Sequence, residues 1–456
     1  MSTTGTKVKL IWKGFLTDTS MHGCHYLTQG NKHVVSRVFW FLLVISFLTL
    51  LIINLQLLYN DYKQYNYRSK TNIKFNDNLE FPAISMCNSH SFDKNKLNKS
   101  SDLYQYLYGT YTMSLSNPNY FSDPKWNRTV VAPWALETVV FNASDTFLYA
   151  YHGIGNRNIN PSRFQINYKW PVHTCFTYNG QWKQKDFNRR ISNEEDGLVM
   201  YVNINQDRYA FESYTAGMHL CIHPADEPLD TRTPCTVLSP GHAYEVKLKV
   251  HEYTYLPYPY NSYQSSDCIT SHSGLRNLNY FHRYSYRGCL LECVTDMVLK
   301  ACGCITEFEV QNASNHYCSV IQRECAISVR KKFHFDTAYA SNANKVCVCP
   351  RPCSHVVYDQ DMSATRSNSM RIHISFKTSI VTYINHIPEL TLADILSIMG
   401  GLMGFYIGAS VLTVLEVLDV VLRTLTTIIA SRLKVETVCN KTKPTVNQTV
   451  VLPSVD

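Results

Sequence analysis

The chain has 456 residues and a formal net charge of +8; 45% of it is hydrophobic and 17% charged. That length allows more than one folded unit, and that composition excludes a disordered chain. Many basic residues lie in the two ends (Lys7, Lys9, Lys13, Lys32 and Arg37, then Arg423, Arg432, Lys434, Lys441 and Lys443), and no long Lys/Arg run with interleaved aromatics points to a nucleic-acid partner.

Residues 1–37 read as a cytoplasmic N-terminus. From Val38 to Tyr59 no charge interrupts VFWFLLVISFLTLLIINLQLLY, in which sixteen residues are Leu, Ile, Val or Phe. Each contributes roughly −0.3 to −0.6 kcal/mol of insertion free energy, which Ser46, Thr49, Asn54 and Gln56 do not offset. A helix over 38–59 is long enough for a bilayer. A cleaved signal peptide is the rival reading, but the run begins too far from the N-terminus and lacks a small-residue cleavage site.

Fourteen of the sixteen cysteines fall between Cys87 and Cys353, leaving Cys24 and Cys439 outside. An even number in one stretch predicts disulfides and an oxidising compartment for residues 60–389. Sequons at Asn98, Asn127, Asn142 and Asn312 suit an extracellular, glycosylated surface. Asn440 and Asn447 also carry sequons, in a tail (431–456) read as cytoplasmic, so sequons alone do not fix sidedness.

A second apolar segment, 390–430, reads LADILSIMGGLMGFYIGASVLTVLEVLDVV at its centre. A buried core helix is its plain alternative. Lys and Arg flank both apolar segments on their terminal sides, which places both termini in the cytoplasm. Gly400, Gly404 and Gly408 form a small-residue stripe, and close helix packing alone would explain it. The Gly408-Ala409-Ser410 run adds backbone that membrane depth tolerates only beside water or protein. Glu416 and Asp419 share a helical face; they either snorkel to the inner interface or line a cation-concentrating pore mouth. Asp394 would set a negative ring at the outer mouth of an assembly of several copies.

Six local motifs, in order, carry a family resemblance. Thr19-Ser20-Met21-His22-Gly23 resembles the His-Gly motif of the degenerin/epithelial sodium channel superfamily, which includes the acid-sensing and neuropeptide-gated channels. Phe81-Pro82-Ala83-Ile84-Ser85-Met86-Cys87-Asn88 resembles the segment after its first span. His223-Pro224-Ala225-Asp226-Glu227-Pro228 and Thr254-Tyr255-Leu256-Pro257 are similar to its palm signatures. Tyr286-Arg287-Gly288-Cys289-Leu290-Leu291-Glu292-Cys293, continuing to Cys302-Gly303-Cys304, resembles its thumb, and Gly408-Ala409-Ser410 its selectivity belt.

The resemblance implies an α+β membrane protein: two transmembrane helices and a large β-rich, disulfide-stapled extracellular domain with a helical thumb. It implies a homo- or heterotrimer in the lipid bilayer of the plasma membrane, with Gly408, Ala409 and Ser410 as the selectivity filter. Ser397, Gly400, Gly401, Gly404, Asp394, Glu416 and Asp419 would belong to pore and gate, His22 and Gly23 to a re-entrant gating motif. Tyr62 and Tyr260 would form the aromatic pair that couples ectodomain to pore, with Tyr260 in place of the usual Trp. The implied bridges are Cys87–Cys175, Cys268–Cys353, Cys289–Cys349, Cys293–Cys347, Cys302–Cys325 and Cys304–Cys318, of which Cys289–Cys349 and Cys293–Cys347 would join a helix read over 283–300 to an extended 347–350. Cys221–Cys235 is the pair then left, and it departs from the acid-sensing pattern. Zinc at the Cys-x-Cys clusters is disfavoured because the usual Cys-x-x-Cys spacing is missing.

The expected function is a ligand-gated, amiloride-sensitive sodium or cation channel opened by an extracellular RFamide-type peptide. No cofactor is expected; Na+ is the permeant ion, with Ca2+ left open. Alternatives within the family are proton gating, for which Glu194-Glu195-Asp196 is the one extracellular acidic run, constitutive opening, and a modulatory subunit. An ATP-gated trimeric channel and a two-span receptor are more distant, and no catalytic constellation suggests an enzyme.

Overall fold

The computed structural model describes residues 4–28, 33–113, 119–153, 157–169, 173–182, 191–192, 196–211, 215–260, 263, 268–270, 278–281, 283–310, 316–335 and 347–441, the last ten without side chains. It divides into two units, Met1–Tyr67 with Pro388–Asp456, and Arg68–Ile387.

The first unit opens with α1 (Thr4–Asp18), α2 (Cys24–Thr28) and α3 (Val34–Lys63). Helix α3 outruns the apolar 38–59 stretch at both ends, where neither flank holds a Pro or Gly to stop it. Its large apolar side chains are mostly exposed, including Val38, Phe41, Leu42 and Ile53. A 30-residue helix is about 45 Å long by its rise per residue, more than a bilayer core needs.

The second unit holds strands β1 (Tyr67–Phe75), β2 (Leu79–Glu80), β3 (Ala83–Asn88), β4 (Phe147–His152), β5 (Arg157–Asn158), β6 (Gln165–Lys169), β7 (His173–Tyr178), β8 (Ile191–Ser192), β9 (Leu198–Val202), β10 (Met218–His223), β11 (Cys235–Leu238), β12 (His242–Thr254), β13 (Cys268–Ile269), β14 (Arg351–Pro352), β15 (Ser354–Arg366) and β16 (Met370–Pro388). Helices α4 (Asp102–Tyr108), α5 (Pro133–Glu137), α6 (Ala143–Thr146), α7 (Tyr286–Cys302) and α8 (Val320–Phe335) accompany them.

A seven-stranded sheet runs β15-β12-β16-β9-β4-β5, with β1 also on β16. Strand β12 alternates, burying Tyr244, Val246, Leu248 and Val250 while Glu245, Lys247 and Lys249 lie between them. It pairs antiparallel with β15 and parallel with β16. The five-stranded sheet β11-β10-β3-β7-β6 puts β3 at its centre, so all six β3 residues are buried. Ile84, Met86, Phe176 and Leu220 of this sheet meet Leu198, Met200, Val246 and Ile372 of the larger one in a single core. Each such side chain, fully buried, contributes about 1.5–3 kcal/mol.

The other β3 face carries Ser85 and Cys87. Ser85 Oγ lies 2.7 Å from Thr177 Oγ1 and 2.9 Å from His223 Nε2. His223 Nδ1 is 3.1 Å from the Pro224 carbonyl, so it donates there, and Nε2 accepts from Ser85. Burial holds the His223 imidazole well below its usual range, at about 4.

The thumb is α7 against α8. Ser285 caps α7 by accepting the Gly288 N–H, and Gly303 ends it in the left-handed region at φ +70°. The helix therefore sits two to three residues later than the 283–300 read from sequence. Seven disulfides form: Cys87–Cys175, Cys221–Cys235, Cys268–Cys353, Cys289–Cys349, Cys293–Cys347, Cys302–Cys325 and Cys304–Cys318. The first two join directly opposed residues of neighbouring strands. With those fourteen sulfurs paired, none is a thiolate for zinc. Each bridge restricts the unfolded chain, typically by 2–4 kcal/mol. Inside the thumb, Arg323 Nη2 donates to both Glu307 carboxylate oxygens at 2.5 and 2.6 Å, and Arg330 pairs with Glu309, all four side chains buried.

Returning to the first unit, α9 (Leu392–Ile407) and α10 (Val411–Lys441) complete the chain's described elements. They are two helices bent by 74° at Gly408-Ala409-Ser410.

Candidate pore segment

Helix α9 starts with a reciprocal cap. Thr391 Oγ1 accepts the Asp394 N–H at 3.2 Å, and Asp394 Oδ2 accepts the Thr391 N–H at 2.9 Å. Asp394 thus seals a helix N-terminus, a role legible in the Thr-x-x-Asp spacing. The helix ends at Gly408, whose φ of +64° places it in the left-handed region. Its N–H returns to the Gly404 carbonyl at 3.1 Å.

That position needs glycine twice. A Cβ there would lie 1.4 Å from His22 Nδ1, so the two backbones approach as only glycine permits. His22 donates its backbone N–H to the Ile407 carbonyl at 3.0 Å, capturing one of the carbonyls a helix end leaves open. Beside it Thr19 Oγ1 donates to Glu416 Oε2 at 3.3 Å. Gly23 is at φ +87°, and a Cβ on it would come within 2.7 Å of Val44 on α3. Ala409 and Thr413 are buried, whereas Ser410 is exposed.

The faces of α9 divide cleanly. Ile395, Met399, Leu402, Met403 and Tyr406 are half-buried on one side. On that side Asn54 of α3 donates to the Tyr406 hydroxyl at 3.2 Å, and Phe47 and Tyr406 rings lie 6.3 Å apart. Ser397, Gly401, Gly404 and Gly408 recur at i, i+4, i+7 and i+11 on the opposite side. Ser397, Gly400, Gly401 and Gly404 are exposed, and a Cβ added at any of the three glycines meets nothing within 4 Å. Apolar Leu396 and Phe405 flank this face and are also exposed.

Asp419 forms an i,i+4 ion pair with Arg423 at 2.8 Å, a pairing readable in the spacing. Glu416 and Asp419 lie three residues apart on α10, Glu416 bonded by Thr19 and Asp419 paired with Arg423. Tyr62 and Tyr260 belong to different units; Tyr62 lies beside Tyr65, ring centroids 5.8 Å apart, and Tyr260 follows a turn whose N–H returns to Pro257. Asn98, Asn127 and Asn142 are exposed. Ser100 Oγ donates to Asn98 Oδ1 at 2.7 Å. Asn312, Glu194 and Glu195 lie outside the described residues.

A long apolar helix, a second apolar segment interrupted at glycine, and a stapled β-rich domain with a helical thumb make this an α+β membrane protein of channel architecture. Residues 15–420 match the family model described as "Amiloride-sensitive sodium channel", and the chain belongs to that family, within the degenerin/epithelial sodium channel superfamily. It is 25% identical over 451 residues to acid-sensing ion channel 1B of Danio rerio, covering 89% of this chain and 75% of the relative. It is 23% identical over 456 residues to acid-sensing ion channel 2 of Homo sapiens, covering 89% and 85%. Among solved structures, a proton-activated chloride channel aligns over 87% of this chain and 98% of its own at a TM-score of 0.33 and 7% identity, too distant to carry an argument.

Proposed function

We propose that this chain is one subunit of a trimeric, amiloride-sensitive sodium or cation channel of the plasma membrane, with both termini cytoplasmic and its ectodomain glycosylated at Asn98, Asn127 and Asn142. The α9 face carries the reading. Ser397, Gly401 and Gly404 lie opposite the side packed on α3, so the segment has its own helix behind it and an unfilled, small-residue face in front. Three such faces around an axis would enclose water, and the Gly408-Ala409-Ser410 break would narrow it. Asp394 at the outer end and Glu416 at the inner one would favour cations.

For the stimulus, an extracellular amidated peptide is the first reading; it rests on the Cys221–Cys235 bridge, which staples β10 to β11. Protons are the second. That reading is supported by the names of the relatives and by Glu227, whose carboxyl is pushed up to about 7 by burial although Arg287 sits 2.9 Å away. Voltage-clamped cells expressing the chain should pass an inward sodium current blocked by amiloride. Applying amidated peptides and then acid separates the stimuli. A current that reverses at the chloride potential would overturn the proposal.

A further inference from the structure

Within the second unit, a cleft of about 590 Å3 opens between the 224–232 connection, the start of α7 and the strands around Arg351. That volume lies in the range of small-ligand sites, and the walls combine tyrosines with arginines. Arg287 is committed: it bonds Glu227 at 2.9 Å and Asp230 at 2.8 Å. Arg351 and Arg232 are not. Neither has a carboxylate within 4.0 Å among the described residues. Both are exposed, yet each guanidinium rests against aromatic rings. Arg351 lies over the rings of both Tyr263 and Tyr286, 5.0 and 5.1 Å from their centroids, and Arg232 over Phe333 at 5.0 Å.

The frame around Arg351 is fixed. Tyr263 donates to the Pro352 carbonyl at 3.0 Å, Cys268–Cys353 closes the β13–β14 pair, and Tyr358 on the far wall donates to the Glu80 carbonyl at 3.1 Å. Three guanidinium charges face two carboxylates across one cleft, so positive charge is in excess. His355 adds none near neutral pH, because burial and the Arg351 charge hold its imidazole below its usual range.

We propose that this cleft binds a small organic carboxylate with a flat apolar body, its anion held by Arg351 and Arg232 and its body laid against the tyrosine walls. A guanidinium fork with its faces on rings and no acidic partner suits a carboxylate, and tyrosine faces supply the contact area. Because the walls belong both to the palm connection and to the thumb helix, an occupant would join the two and modulate their movement. The binding proposed here does not rest on the pore reading, although Glu227, invoked above for proton gating, lies in the cleft wall.

The test is direct binding of radiolabelled 2-naphthoate to the purified full chain in lipid nanodiscs, with no current required. Saturable binding is expected, with neutral 2-naphthamide competing about tenfold more weakly. Arg351→Gln should weaken binding about tenfold and Arg232→Gln by roughly threefold. Arg232 lies on an exposed turn away from the disulfide ladder, so its variant decides the matter if Arg351→Gln fails to fold. Absence of saturable binding, equal competition by the amide, or unchanged affinity in Arg232→Gln and in whichever Arg351 variant folds would overturn the proposal.

Discussion

The hydroxyls of Ser20 and Thr413 lie 2.7 Å apart, joining the segment before His22 to the first turn of α10. Thr413 is buried and also accepts the Ser410 N–H at 3.1 Å. Thr413→Val should therefore lose both hydrogen bonds and cost about 1–3 kcal/mol in all. Thermal melts of detergent-solubilised protein measure this. Ser20→Ala should cost less, and the double variant should fall short of the sum, as groups in one network do.

Gly408→Ala should fail for two separable reasons. The left-handed backbone costs any L-residue about 1–2 kcal/mol, and the added methyl meets the His22 ring. A surface-expressed Gly408→Ala channel should lose most of its current. Adding His22→Ala removes the collision but not the backbone cost, so recovery should be partial; full recovery would show that φ is unimportant.

Accessibility tests the pore face. In a Cys24→Ser/Cys439→Ser background, cysteines at Ser397, Gly401 and Gly404 should react with a charged thiol reagent. Those at Leu396 and Phe405 should react at least tenfold more slowly, since a charge enters hydrocarbon at a cost of several kcal/mol. Equal rates at all five positions would remove the water-filled path.

In the thumb, Glu307→Gln should leave the Arg323 guanidinium buried without its counter-charge. The expected loss is about 3–5 kcal/mol, read as a lower melting temperature. An apolar replacement of both partners should be far milder.

Acid should destabilise the second unit through His223. Its folded pKa, about 4, is below the unfolded value of 6.5, so the unfolded state binds more protons between those limits. Stability is fully present above pH 6.5 and lost as pH falls toward 4, by about 3 kcal/mol in all. Burial depresses His90 to about 4 as well, in the same sense. His223→Gln should flatten the decline between pH 6.5 and 4 without abolishing it; an unchanged slope would assign the acid sensitivity elsewhere.

The first apolar helix and the stapled middle of the chain were readable because each rests on local composition: an uncharged run, and cysteines confined to one stretch. The ends of α3 were not, since hydropathy marks where a helix is apolar and is silent on whether Tyr62 or Lys63 stays helical. The partners of Asp394 and Asp419 are legible as well, since Thr391 and Arg423 stand at capping and i,i+4 spacing from them. The partners of the thumb carboxylates could not be read at all. Glu307, in a turn after α7, meets Arg323 of α8 only through the fold of the thumb, and no spacing rule connects them. The same holds for His22 and Ile407, which meet only because the chain folds back on itself.

That return of the chain has a temporal consequence. His22 and Gly408 are 408 − 22 = 386 positions apart. At roughly 5–20 residues per second of synthesis, the earlier half of this clamp exists for about 20–80 s before its counterpart is made. The contact at the break in the second apolar segment is thus among the last to be completed, and a nascent chain lacks it while the disulfide-bearing unit is already made.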